Sequence, residues 1–294
     1  MVAQGIVLLG ASRAGVSVSY ALQNDDLPLR GIWNRSKFEL GGLPSDLTDW
    51  RPGSSSMPHA RLYLIAVSDD AIVEIAEWLG QTEAPGPESI VCHLSGAMGS
   101  SVLSPACIGG AKALAIHPLR SFADHQTEGN GLNGVYCGLE SDDPKTEEWA
   151  EGVLTNVGAQ VFEFPARHRD RYHMAATASC NFLVTLFDLA SRHLVASGMD
   201  EAIARPALLD LMERTLTNIG RKGSAAALTG PIVRGDSDVV RGHLDLLSDA
   251  PLDRSVYLAL AEATVQLGRR DGRPDEEAAT RVLDLLRGDD SCPS

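Results

Sequence analysis

The chain has 294 residues, 44% of them hydrophobic and 22% charged, with a formal net charge of −14. That is enough apolar material for one large core or two modest ones, and it excludes a disordered composition. The acidic balance denies nucleic acid and anionic membrane surfaces the attraction they need, so any anion site has to be built locally.

An apolar strand, Ile6–Leu9, runs into Gly10-Ala-Ser-Arg-Ala-Gly15, followed by a helix and a second strand that closes on Trp33-Asn-Arg-Ser36. Strand, glycine turn, helix and strand make a nucleotide cradle, in which the glycines permit a tight turn and close helix–strand packing while free N–H groups at the helix start face a pyrophosphate. The middle glycine of the usual G-x-G-x-x-G is Ser12, a small residue whose hydroxyl can itself bond a phosphate oxygen. At the end of the second strand a free ribose 2′-hydroxyl is usually met by Asp or Glu. Asn34, Arg35 and Ser36 stand there instead and suit a 2′-phosphate. The cradle therefore points to NADP(H), with Gly10, Ser12, Arg13 and Gly15 at the phosphates, and NAD as the alternative.

Strands are predicted over Leu62–Val67, Ser89–His93, Ala113–His117, Gly134–Leu139 and Gln160–Phe164, with helices over Asp69–Leu79 and Lys145–Val157. Gly53–Ser56 and Glu83–Pro87 read as surface loops. Short strands separated by helices make a doubly wound parallel sheet of the α/β class over residues 1–165. From Arg169 the apolar residues recur at helical spacing over roughly 169–197, 200–222, 236–248, 253–269 and 275–287, which predicts an all-helical domain over 166–294. The first of these helices is apolar over Phe182–Leu194 beyond what one face explains, so it lies in the middle of a bundle or is shared with a second copy in a homodimer. With no basic-then-apolar leader and no apolar run of membrane-spanning length, the sequence reads as cytoplasmic and without a membrane partner. Five scattered cysteines show no paired spacing and read as reduced, mostly buried thiols.

In an open parallel sheet, ligands sit beyond the carboxyl ends of the strands. Val67 and Ser68 are placed along the cofactor there, with Asp69 capping the next helix. Ser95 follows the next strand. His117, pinned by Pro118, follows a third, facing the cofactor and titrating near neutral pH as an acid or base in hydride chemistry should. A histidine satisfied by a backbone carbonyl is the competing reading. His173, Thr177 and Asn181 fall at i, i+4 and i+8 on one face of the long helix, where substrate and interhelical hydrogen bonding compete as explanations. Thr229-Gly-Pro231 is a turn, Asp236 a helix cap, and Arg234 either a surface neighbour or the receiver of a substrate carboxylate.

Together the glycine turn, Ser95-Gly-Ala97, the H-P-L-x-x-F segment from His117, the Y-H-x-A-A…S-x-N helix from Tyr172 to Asn181 and T-G-P-I-x-R-G-D from Thr229 to Asp236 resemble a family of Rossmann-type proteins. Its helical part is domain of unknown function 2520, and its members are similar to pyrroline-5-carboxylate reductase, ketopantoate reductase and the 6-phosphogluconate dehydrogenase superfamily. The resemblance implies an NADP-binding domain and a helical dimerising domain. In the wider superfamily a Lys-x-x-x-Asn pair contacts the reacting oxygen, and here Asn181 matches the asparagine while Thr177 replaces the lysine. Prephenate dehydrogenases use a Ser and a His-Pro histidine, an arrangement that Ser95 and His117 resemble. The expectation is an NADP(H)-dependent oxidoreductase acting on a small carboxylate-bearing carbonyl, alcohol or imine. His117, Ser95 and Asn181 are then catalytic, and His173, Thr177, Thr229 and Arg234 touch substrate. The rival is a non-catalytic NADP(H)-binding sensor or scaffold.

Overall fold

Among the described residues, eight strands form one sheet in the order β3-β2-β1-β4-β5-β6-β7-β8. The strands are β1 Ile6–Leu9, β2 Leu29–Trp33, β3 Thr48–Trp50, β4 Leu62–Ile65, β5 Ile90–His93, β6 Lys112–Pro118, β7 Tyr136–Glu140 and β8 Gln160–Glu163. The computed structural model describes residues 5–23, 27–35, 48–50, 57–82, 84–125, 131–164 and 166–288. The chain divides into two compact units, Met1–Asn181 and Phe182–Ser294.

In the first unit, β1 and β4 are wholly buried, as expected of apolar runs covered on both faces. Alternate side chains feed two layers. Ile6, Leu8, Leu62 and Leu64 pack with Val16, Val18 and Leu22 of helix α1 (Arg13–Leu22) and with Val153 and Leu154 of α3 (Pro144–Asn156). Val7, Leu9, Tyr63 and Ile65 pack with Ile72, Ile75 and Leu79 of α2 (Ile72–Gly80) and with Leu103 of the 3-10 segment Ser100–Cys107. Strand order reverses at β1, which has β2 on one side and β4 on the other, so a crevice opens beyond the carboxyl ends of β1 and β4.

The sheet departs from the expected all-parallel arrangement at one joint, where β6 and β7 run antiparallel. Strand β3 and the 3-10 segment were not anticipated. The latter lies so close to α2 that a Cβ on Gly80 would stand 2.0 Å from the Pro105 carbonyl oxygen. Asp69 is not a helix cap. It begins the 3-10 turn Asp69–Ala71 after Ser68, and Ala71 takes the N-cap position of α2. The expected surface loop before β5 is partly interior: Ala84 is buried, and its carbonyl accepts from the Tyr63 hydroxyl at 2.9 Å and pairs with His59 Nδ1 at 2.8 Å. Gly53–Ser56 lies outside the described residues.

Helix α4 (Arg169–Ala196) leads from the first unit into the second, which continues with α5 (Glu201–Lys222), α6 (Ser224–Ala227), α7 (Pro231–Arg234), α8 (Ser237–Leu246), α9 (Pro251–Arg269) and α10 (Glu276–Arg287). Val240, Leu244, Val265, Val282 and Leu286 centre its core. Asp200, Asp236 and Asp275 cap α5, α8 and α10 by accepting backbone N–H groups. Asp253, in the first turn of α9, receives Arg192 and His193 of α4, and the Arg192 guanidinium holds its carboxyl below the usual range.

Within the chain, α4 is not enclosed by a bundle. Phe182 and Val184 are exposed, as are Ile203, Leu209, Leu211 and Leu216 on α5, where only Ala204 is buried. Contrary to the sequence reading, α4 does reach the length and hydropathy of a membrane span by those two criteria. Between Arg171 and Arg192 its one Asp, Glu, Lys or Arg is Asp188, so the apolar average there is diluted little.

Candidate functional site

The turn after β1 takes its shape from two positions. Gly10 has φ +92°, and a Cβ there would stand 2.5 Å from Val67. A Cβ on Gly15 would stand 2.3 Å from that of Ala66, so the missing side chain sets the approach of α1 to the sheet. Ser12 occupies the N-cap of α1, with its Oγ accepting the Gly15 N–H at 3.1 Å. The serine that replaces the middle glycine therefore folds the turn and retains its own O–H to donate. Arg13 and Ala14 present the first backbone N–H groups of the helix, the feature that suits an anion.

Asn34 Oδ1 accepts the Ala11 N–H at 3.5 Å, which ties the end of β2 to this turn. Beside it a cavity of about 380 Å³ is lined by Asn34, Arg35, Val67, Ser68, Glu74 and the Trp33–Trp78 pair, whose rings stack at 4.9 Å and 30°. An aromatic wall, a guanidinium and small polar groups at the strand ends fit an adenosine bearing a phosphate. Ser36 lies outside the described residues.

A second cavity, of about 450 Å³, brings together His117 and Arg120 from the end of β6 and His173, Thr177, Cys180 and Asn181 from α4. Among the described residues no carboxylate lines it, although the whole chain carries −14. Arg120, which sequence reasoning did not single out, supplies the permanent positive charge. One of its Nη atoms donates to the Gly131 carbonyl, and its guanidinium lies 5.7 Å from the Phe122 ring. Its signal was its place two residues after the His-Pro pair. Ser179 also lines the cavity but spends its hydroxyl on the Ala175 carbonyl at 2.5 Å.

His117 is held from two sides. Its Nδ1 lies 2.7 Å from the Tyr172 hydroxyl, and its ring lies so close over Gly96 that a Cβ there would stand 2.7–2.9 Å from Nε2, Cε1 and Cδ2. The expectation of titration near neutrality is not met: burial, then the neighbouring His173 and Arg169, push His117 down to about 4, so it is neutral at pH 7.

Ser95 does not line either cavity. It is buried, and its Oγ accepts the N–H groups of Ala97 and Met98 at 3.1 and 3.2 Å. Its own N–H donates to Nδ1 of His93 at 3.2 Å, which leaves that ring's proton on Nε2, 3.0 Å from the Gly99 carbonyl. Ser95 and His93 thus fold the loop that carries Gly96 against His117, and burial keeps His93 below its ordinary pKa.

Tyr172 sits among Phe164 at 4.4 Å and Phe162 at 6.1 Å between ring centroids. Gly138 admits Phe164, since a Cβ there would be 2.6 Å from its ring. On Phe164 lies the Arg169 guanidinium, 3.8 Å from the ring centroid and ion-paired with Glu140. Glu140 Oε1 in turn accepts the Ser100 N–H at 2.9 Å.

Thr229 and Arg234 belong to the second unit, and both are exposed. Their motif punctuates helices. Gly230 precedes α7 at φ +100°, Pro231 starts it, Gly235 ends it in the left-handed region at φ +71°, and Asp236 caps α8 through the Val239 N–H. Arg273 binds the carbonyls of Leu228 and Ala225 at 3.3 and 3.1 Å and so fastens the start of that motif.

Residues 2–118 match the model of a Rossmann-like domain and residues 135–264 that of a domain of unknown function, DUF2520. No curated protein matches the chain. Among solved structures it is similar to a candidate NADP oxidoreductase of Bacteroides fragilis, with 20% identity, 89% of this chain and 98% of the other covered, and a TM-score of 0.73. A Thermotoga maritima protein gives 21% identity, 91% and 100% coverage and a TM-score of 0.66. A Plasmodium falciparum pyrroline carboxylate reductase with NADP bound gives 12%, 91% and 99%, and 0.58. At these identities the likeness establishes the fold.

Proposed function

We propose, for a chain that joins a Rossmann-like domain to a DUF2520 domain, an NADP(H)-dependent oxidoreductase that acts on a small anionic carbonyl, imine or alcohol. The cofactor domain is taken as residues 1–165 and the helical domain as 166–294. The observation that carries the reading is the cavity, free of acids among the described residues, where a half-buried, neutral His117 meets Arg120 and the polar line of α4. Bound NADP(H) would supply the hydride. Gly10, Ser12, Arg13 and Gly15 would hold its pyrophosphate; Asn34, Arg35, Val67 and Ser68 its adenosine end.

The chain's own groups do the rest. Arg120 draws in a carboxylate through a charge-assisted hydrogen bond, with His173 beside it. Asn181 and Thr177 orient the reacting polar group from one helix face. His117 meets the oxygen or nitrogen whose charge develops during hydride transfer, and burial makes a hydrogen bond there worth more than in water. Ser95 supports His117 by folding the Gly96 loop. The test is a panel of 2-keto acids and cyclic imines with NADPH. Tight NADPH binding with no oxidation across the panel would instead favour the sensor.

Arg35→Ala is expected to weaken NADPH binding roughly 10- to 100-fold, the worth of one charge-assisted contact, and to leave NADH binding unchanged. Fluorescence titration of both cofactors checks it, and an equal loss for both would remove Arg35 from the 2′-phosphate.

The exposed apolar residues of α4 and α5 are proposed to meet a second copy of the chain. Light scattering at micromolar concentration should give twice the 31.3 kDa chain mass, and a monomer would end the proposal.

A further inference from the structure

We infer that Tyr172 fixes the tautomer of His117: its hydroxyl donates to Nδ1, the single imidazole proton stands on Nε2, and His117 meets substrate as a hydrogen-bond donor instead of a base. This rests on the reading of His117 as the group that faces substrate. Two assignments are open to a 2.7 Å contact between a phenol oxygen and a ring nitrogen, and the surroundings decide between them. Among the described residues, Nδ1 of His117 is the hydrogen-bond partner of the Tyr172 hydroxyl. A phenol has one proton to give, and an imidazole nitrogen is a far better acceptor than a phenol oxygen. Burial pushes Tyr172 up to about 12 and His117 down to about 4, so both partners are neutral over the working range. A neutral pair of this kind settles as O–H···N.

The pair is built to hold that geometry. Tyr172 is in the first turn of α4, and its ring is wedged against Phe164 and Phe162, which Gly138 admits. The two rings meet edge to face at 5.4 Å and 79°. Gly96 closes the other side without a side chain to displace the imidazole. Each partner is therefore fixed by packing that does not depend on the hydrogen bond, and the bond is left to choose the tautomer.

The consequence is a defined role. With its proton on Nε2, His117 donates a hydrogen bond to the oxygen or nitrogen that carries charge in the hydride-transfer transition state, which reduction and oxidation share. The tautomer with a bare Nε2 would have to give up the Tyr172 bond or reverse it. Tyr172 is accordingly a positioning residue that presents the Nε2–H to the reacting group.

The test reads the ring nitrogens directly. Nitrogen-15 NMR of the full chain at pH 7, with His117 signals assigned by their absence from His117→Gln, should show a neutral ring protonated on Nε2. In Tyr172→Phe, which keeps the aromatic packing, the two nitrogen signals should move toward the average of both tautomers, and reductive turnover should fall roughly tenfold, the net worth of one buried hydrogen bond, with KM and NADPH affinity unchanged. Incorporation of 3-fluorotyrosine at 172 keeps a donor and should restore the Nε2–H signature. A wild-type ring protonated on Nδ1, a charged ring at pH 7, or a spectrum that Tyr172→Phe leaves unmoved would overturn the inference. The NMR arm needs no substrate: failure of every substrate with the expected spectrum would sink the oxidoreductase reading and leave the tautomer assignment standing.

Discussion

His117→Ala should cut turnover by about a hundredfold or more while NADPH affinity stays within a factor of two or so, because the cavity assigned to the adenosine is built from the ends of β2 and β4 and from α2 and contains no part of β6. Steady-state kinetics and a fluorescence titration on the same preparation separate the two, and an unchanged turnover would remove His117 from the chemistry. Gly96→Ala is the companion variant. It keeps the histidine but drives a methyl group against its ring, which must shift, so it should reproduce much of the loss if ring position matters. The pH dependence has a definite sign. The fold holds His117 at about 4 against an unfolded value near 6.5, so its neutral form contributes stability that is complete above 6.5 and is lost as the pH falls from 6.5 toward 4. Wild-type melting temperature should therefore drop over that window more steeply than that of His117→Ala. Turnover should not acquire a histidine step between pH 6 and 8; such a step in the wild type, absent from the variant, would show an imidazole that titrates where burial should forbid it.

The parts of the molecule that were legible beforehand are those in which sequence period fixes direction. The runs Ile6–Leu9 and Leu62–Ile65 are apolar at every position, and both are strands buried on two faces. The i, i+4, i+8 line of His173, Thr177 and Asn181 lies along one cavity wall because helix geometry leaves it no choice. Ser95 shows the limit of such reading. A hydroxyl beyond a strand end serves a reacting oxygen or a tight loop equally well, and only the N–H groups of Ala97 and Met98 reveal the loop. Tyr172 and His117 are 55 residues apart and on different elements, so no spacing rule joins them. The antiparallel joint of β6 with β7 was equally hidden, because neither strand's composition records the direction of its neighbour. The glycines were more informative than their turn-forming role suggests: Gly96 and Gly138 are small so that aromatic rings can occupy the space above them.

Glu140→Ala should destabilise the first unit by about 3–5 kcal/mol, the usual result of removing one partner from a buried ion pair. Glu140 and Arg169 side chains are 19% and 9% exposed, and Arg169 Nη1 is buried without a hydrogen-bond partner among the described residues, so the guanidinium depends on Glu140 and on the face of Phe164. Truncation would strand that charge and also release the Ser100 N–H and hydroxyl that Glu140 Oε1 receives, which loosens the start of the 3-10 segment packed on α2. At roughly 2–4 °C per kcal/mol for a unit of this size, the melting temperature should fall by about 10 °C. The double variant Glu140→Leu with Arg169→Met removes both charges together and should lose much less, since no buried ion is left uncompensated. Calorimetry of the three proteins decides the matter. A shift under about 2 °C for Glu140→Ala would show the pair to be solvated, and a double variant as unstable as the single one would place its worth in the Ser100 contacts instead of the ion pair.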